Sequence, residues 1–111
     1  MPKQYKQGCV VVLECEERLD AAQAQGIKDT VARLLTEGST AVVCDLRKTR
    51  VIDSQGLELL LDTAQACARK HGCLRLASAN ELCRDILTVT GVGNQIESYH
   101  DTLSAVGAFS L

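Results

Sequence analysis

The chain predicts an α/β fold built on a mostly parallel sheet of four or five strands with about four helices. Three observations carry that expectation. Short β-branched runs alternate with amphipathic stretches along the whole chain. The runs are apolar on both faces, as strands covered by helices are. The amphipathic stretches open on Asp, Asn or Ser and close near Gly.

Cys9-Val-Val-Val-Leu-Glu-Cys15 is the first clear strand, and a shorter polar strand within Lys3–Gln7 could precede it and turn at Gly8. Asp20 opens a helix whose Ala24, Ile27, Val31 and Leu34 form one stripe, ending at Gly38. Gly26 inside it costs about 1 kcal/mol relative to Ala, so packing must hold that helix. Thr40–Leu46 is the second strand, with Asp45 at its carboxyl end. The charged connection Arg47-Lys-Thr-Arg50 and a brief apolar step, Val51-Ile52, lead to Asp53-Ser54-Gln55-Gly56. A strong helix follows, with Leu57, Leu60, Leu61, Ala64, Cys67 and Ala68 on its inner side, closing at Gly72. Leu74–Ala77 is the third strand. Asn80 caps a short helix with Leu82, Ile86 and Leu87 inward, stopped by Gly91. Ile96–Tyr99 reads as an edge strand, and Asp101 caps a last helix with Leu103, Val106 and Phe109 inward.

Composition narrows function. The 111 residues fit one domain, 1–111, and 46% hydrophobic with 23% charged residues exclude a disordered or collagen-like chain. A formal charge of −2 argues against a nucleic-acid binder driven by a basic field. Three aromatics, Tyr5, Tyr99 and Phe109, are too few to stack bases. No signal peptide or membrane-spanning run is visible, so a reducing, cytoplasmic setting without membrane insertion is expected. The six cysteines contain no Cys-x-x-Cys and read as reduced, mostly structural thiols.

In open α/β sheets, function gathers beyond the carboxyl ends of strands and at the helix starts that follow. Asp53-Ser54-Gln55-Gly56 is such a place. Ser54 falls at or near the N-cap, where free backbone N–H groups and the helix dipole favour an anion. Either Ser54 is a plain N-cap, or it accepts a phosphate that changes the local surface by about −1.5 to −2 charge while leaving the fold intact.

Ile52-Asp53-Ser54-Gln55-Gly56-Leu57, following the Asp45-Leu46 pair, resembles the signature of STAS domains, the sulfate-transporter and anti-sigma-factor-antagonist modules. Leu19-Asp20-Ala21, Leu74–Ala77 and Leu87–Val92 extend the resemblance over Cys9–Phe109. It implies a regulatory protein-binding module without catalysis, cofactor or metal, present as a monomer or weak dimer. By position, Ser54 is the implied phosphoacceptor. Asp53, Gln55, Gly56, Glu58 and Arg50 belong to the implied docking face. The implied partner is an anti-sigma factor and serine kinase of the histidine-kinase-like ATPase type. An alternative within the same family is a docking subunit for an ABC-transporter ATPase in phospholipid trafficking, with no phosphorylation.

Other chemistries fit less well. A nucleophile elbow needs Gly two residues before the serine, and Ile52 stands there. His71 lies some 17 residues along the helix from Ser54, roughly 25 Å at 1.5 Å per residue. Cys67, His71 and Cys73, with Cys83 as a fourth, lack the paired spacing of structural zinc sites. No phosphate-binding glycine loop is present. Arg47–Arg50 reads as a solvated loop, or as one rim of the docking face from which an Arg could pair with phosphate on Ser54.

Overall fold

Strand formation follows the apolar runs, and the computed structural model describes residues 3–110. Gly8 takes a left-handed φ of 65° that turns β1 (Lys3–Gln7) back onto β2 (Val10–Glu14). The two pair antiparallel, with Lys3 opposite Glu14 and Gln7 opposite Val10. There follow β3 (Arg18–Leu19), α1 (Ala21–Thr36), β4 (Ala41–Asp45), β5 (Val51–Ile52), α2 (Ser54–Arg69), β6 (Cys73–Ala77), α3 (Glu81–Thr90), β7 (Ser98–Tyr99) and α4 (Thr102–Gly107). Single 3-10 turns occupy Val92–Asn94 and Ala108–Ser110. The main sheet runs β1-β2-β4-β6-β7 and is parallel from β2 onward. Separately, β3 and β5 pair in parallel, Arg18 with Val51 and Leu19 with Ile52. That small second sheet is too short to leave a periodic signal in the sequence.

Alternation along the strands divides the core. Val11, Leu13, Val42, Cys44, Leu74 and Leu76 pack beneath α1, α2 and α3. Val10, Val12, Val43 and Ala77 face the other way, under Ala105 of α4. On that second face the Arg75 guanidinium lies 4.0 Å from the Phe109 ring centroid and 5.9 Å from that of Tyr99. Its Nε donates to Glu97 Oε2 at 3.4 Å, and the Tyr99 hydroxyl donates to the same oxygen at 2.6 Å. These two bonds hold the Glu97 carboxyl below its usual range. This cluster pins the carboxyl-terminal turn to the sheet edge.

Asp20, Asn80 and Asp101 cap their helices as expected, accepting from the backbone N–H groups of Gln23, Cys83 and Ser104. Gly38 and Gly91 close α1 and α3 at φ of 88° and 82°. Two details are refined, and two expectations are corrected by helix phase. First, α2 is capped by Asp53, and Ser54 is its first helical residue. Second, the left-handed residue after α2 is His71, φ 62°, while Gly72 is needed because a Cβ there would collide with the Thr40 carbonyl. Third, the buried face of α2 is Gly56, Leu59, Leu60, Thr63 and Cys67. Leu57, Leu61 and Ala64 are only half-buried, and Ala68 is exposed. Fourth, Leu82 and Leu103 point outward at 55% and 72% exposure. Cys83 and Leu87, one turn apart, form the inner face of α3, and Leu103 is about 200° around α4 from buried Ala105.

Four thiols, Cys15, Cys44, Cys67 and Cys83, are buried and Cys9 is exposed, as a structural role for most of them requires. Burial, with the nearby Cys73, pushes the Cys67 thiol up to about 11. A disulfide reagent at pH 8 is therefore expected to react readily with Cys9 in the native protein. It should reach the four buried thiols only after unfolding.

Gly56 is the tightest packing point in α2. A Cβ there would meet the Leu19 carbonyl oxygen, whereas one at Gly107 would meet nothing within 4 Å. Denaturant unfolding is expected to show Gly56→Ala destabilised by about 1–3 kcal/mol. Gly107→Ala should be neutral, or more stable by up to about 1 kcal/mol, because the helix gains propensity without a clash.

Candidate functional site

The site forms where the small β3–β5 sheet feeds α2. Ile52 pairs with Leu19 and is buried, so the chain leaves β5 in a fixed direction. The Asp53 N–H donates to the Leu19 carbonyl at 3.2 Å. The Asp53 carboxylate then accepts the Gly56 N–H at 2.9 Å, while its own carbonyl accepts the Leu57 N–H at 2.9 Å. Asp53 thus completes the helix start and leaves the Ser54 hydroxyl free of that duty.

Ser54, Gln55 and Glu58 are exposed, and Gly56 is buried. Ser54 and Glu58, four residues apart, share one face of α2. The first backbone N–H groups of a helix have no intrahelical partner, so an anion near Ser54 meets donors and the positive end of the dipole. Asp53 and Glu58 place negative charge beside the same spot. Gly56 contributes shape rather than contact, because its buried α-carbon lets α2 approach Leu19.

Arg50 lies just before β5. Its N–H donates to the Glu17 carbonyl at 2.7 Å, and its guanidinium pairs with the Glu17 carboxylate at 3.2 Å. Both side chains are more than half exposed, so this pair contributes at most about 1 kcal/mol and can exchange partners. The charged connection is only partly the solvated loop its composition suggests. Arg47, Lys48 and Arg50 are exposed, but Thr49 is buried. Its hydroxyl donates to the Glu16 carbonyl at 2.8 Å, and its carbonyl accepts from the Asn80 side-chain amide at 3.0 Å and the Cys83 thiol at 3.6 Å. A lone Thr among basic residues gives no sequence signal of this. The connection also carries Val51, an apolar side chain 38% exposed, and β5 packs against α3, where Leu82 is exposed.

The competing constellations are not assembled. His71 stands past the far end of α2 from Ser54. Cys73 opens β6, whereas Cys83 lies beyond its other end, against Thr49. Among the described residues, no three His, Cys, Asp or Glu side chains are placed to hold a metal ion. No helix among the described residues is long and apolar enough to cross a membrane.

Comparison with known proteins places this architecture. No curated protein matches the chain. Among solved structures, an anti-sigma-factor antagonist (STAS) domain protein from Planctomyces limnophilus superposes with a TM-score of 0.87 at 20% identity, covering 99% of this chain and 98% of that one. An anti-sigma factor antagonist from Mycobacterium paratuberculosis gives 0.85 at 18% identity, covering 97% and 92%. The phosphorylated form of the Bacillus cell fate determinant SpoIIAA gives 0.76 at 16% identity, covering 98% and 99%. At these identities the likeness is one of fold. The model of the STAS domain family matches residues 1–105, and the chain belongs to that family.

Proposed function

We propose that the protein is a cytoplasmic anti-sigma factor antagonist whose binding to its partner is switched by phosphorylation of Ser54. The observation that carries this reading is the exposed hydroxyl of Ser54 on the first residue of α2, beside a different residue, Asp53, that does the capping. A serine relieved of capping can be modified without unmaking the helix start. The fold's similarity to a phosphorylated regulator supports the same reading.

The partner is a kinase-like anti-sigma factor that docks on Ser54, Gln55, Glu58 and the Arg50 rim. In the transfer step, the Ser54 Oγ attacks the γ-phosphorus of ATP held by that partner. An Oγ–P bond forms, the bridging bond to ADP breaks, and the hydroxyl proton passes to a base on the kinase. The product brings about −1.5 to −2 charge next to Asp53 and Glu58. Helix dipole and free N–H groups hold the phosphate on the protein, while the added charge and bulk exclude the partner. Arg50 can leave solvent-exposed Glu17 for the phosphate, since charge-assisted pairing with a dianion is the stronger contact.

Incubation with ATP and the histidine-kinase-like ATPase encoded nearest to it is expected to add one phosphoryl group on the Asp53–Ser54 peptide, absent in Ser54→Ala. Ser54→Asp should weaken binding to that ATPase at least about tenfold, or 1.4 kcal/mol. A stable complex with no phosphoryl transfer, unaffected by Ser54→Asp, would overturn the switch and leave a non-phosphorylated docking scaffold as the function.

Asp53→Ala removes the cap itself. A loss of about 1 kcal/mol in unfolding free energy is expected, while Ser54→Ala should stay within about 0.5 kcal/mol of the wild type.

A further inference from the structure

Beyond the carboxyl ends of β6 and β7, beside α3, the fold leaves a cavity of about 540 Å³ that the Ser54 site does not use. Its size falls within the range of small-molecule sites, and its place at strand carboxyl ends is where open α/β sheets bind ligands. The lining has two characters. Leu87 and Ala79 supply an apolar wall, while Arg84 supplies a guanidinium and His100 an imidazole.

Among the described residues, no carboxylate lines the cavity. Of the carboxylates that flank it in sequence, Glu97 is engaged by Arg75 and the Tyr99 hydroxyl, and Asp101, beside His100, by the Ser104 N–H at the cap of α4, while Glu81 and Asp85 on α3 are exposed. Arg84 is exposed and takes part in none of the ion pairs among the described residues. The lining therefore presents a guanidinium held in no ion pair beside an apolar wall.

A second observation is independent of charge. Ser78, at the cavity's edge, holds a φ of 62°, in the left-handed region that a non-glycine residue rarely adopts. Its N–H donates to the Tyr99 carbonyl at 3.0 Å. Strain of this kind clusters at ligand sites.

The geometry points to a binding site for a small organic acid, its carboxylate on Arg84 and its apolar body against Leu87 and Ala79. The site is separate from Ser54, so its occupancy gives the module a second, metabolite-dependent input.

The test is a titration of the full chain, followed by amide NMR, with two probes of the same ring and opposite charge, phenylacetate and 2-phenylethylamine. Phenylacetate is expected to give saturable shifts at Ser78, Arg84, Thr88 and Gly93, and the amine none there. Arg84→Gln should weaken phenylacetate about tenfold, the loss of one charge-assisted contact. Thr88→Trp, a change at an exposed helix position on the cavity wall, should fill the space and abolish binding with the fold's spectrum retained. No saturable shift, an equal response to the amine, or undiminished binding in either variant would overturn the assignment.

Discussion

The approach of α2 to the Leu19 carbonyl governs the candidate site. That oxygen takes the Asp53 N–H, and Gly56 lies so near it that any Cβ would collide. With position 56 fixed inward, helix geometry does the rest. Ser54 and Glu58 lie about 200° away on either side, and Gln55 about 100° away, so all three face solvent. An exposed serine at the head of α2 is thus a consequence of a buried glycine two residues later. Side-chain specificity at the surface is set by backbone proximity below it.

Parallel pairing then makes this platform stiff. Because β2, β4 and β6 run the same way, the loops after them meet at the carboxyl ends of the strands. Thr49 joins them, its hydroxyl reaching the Glu16 carbonyl and its own carbonyl receiving the Asn80 amide and the Cys83 thiol. A phosphate at Ser54 would therefore act on a surface whose supports are buried and hydrogen-bonded. Such a surface transmits charge and shape to a partner rather than rearranging. The opposite face of the sheet is covered by α4 and the turn after it, and there the stacking of Phe109 on Arg75 secures that turn.

Much of the fold was legible in the sequence. The strand runs, the caps at Asp20, Asn80 and Asp101, the left-handed Gly38 and Gly91, and the short polar strand at Lys3–Gln7 all carry local signals. Helix phase was less so. The apolar stripe of α2 was read one residue too far along, because Leu57 and Leu61 flank the true face and Gly56 and Thr63 within it are not hydrophobic. The position of the candidate serine was legible, but its role in the helix was not, since Asp and Ser both cap and stand side by side. The pairing of β3 with β5 and the burial of Thr49 depend on residues about 30 positions apart. No local pattern encodes such contacts.

The account rests on phosphate at position 54 altering a surface and not a fold. An amide chemical-shift comparison of the unmodified protein with one carrying phosphoserine at position 54 tests this directly. The account predicts changes confined to Asp53–Glu58 and their neighbours Leu19 and Arg50, with the resonances of β2, β4 and β6 unmoved. Shifts spread through the central strands, or loss of the helical signature of α2, would contradict it.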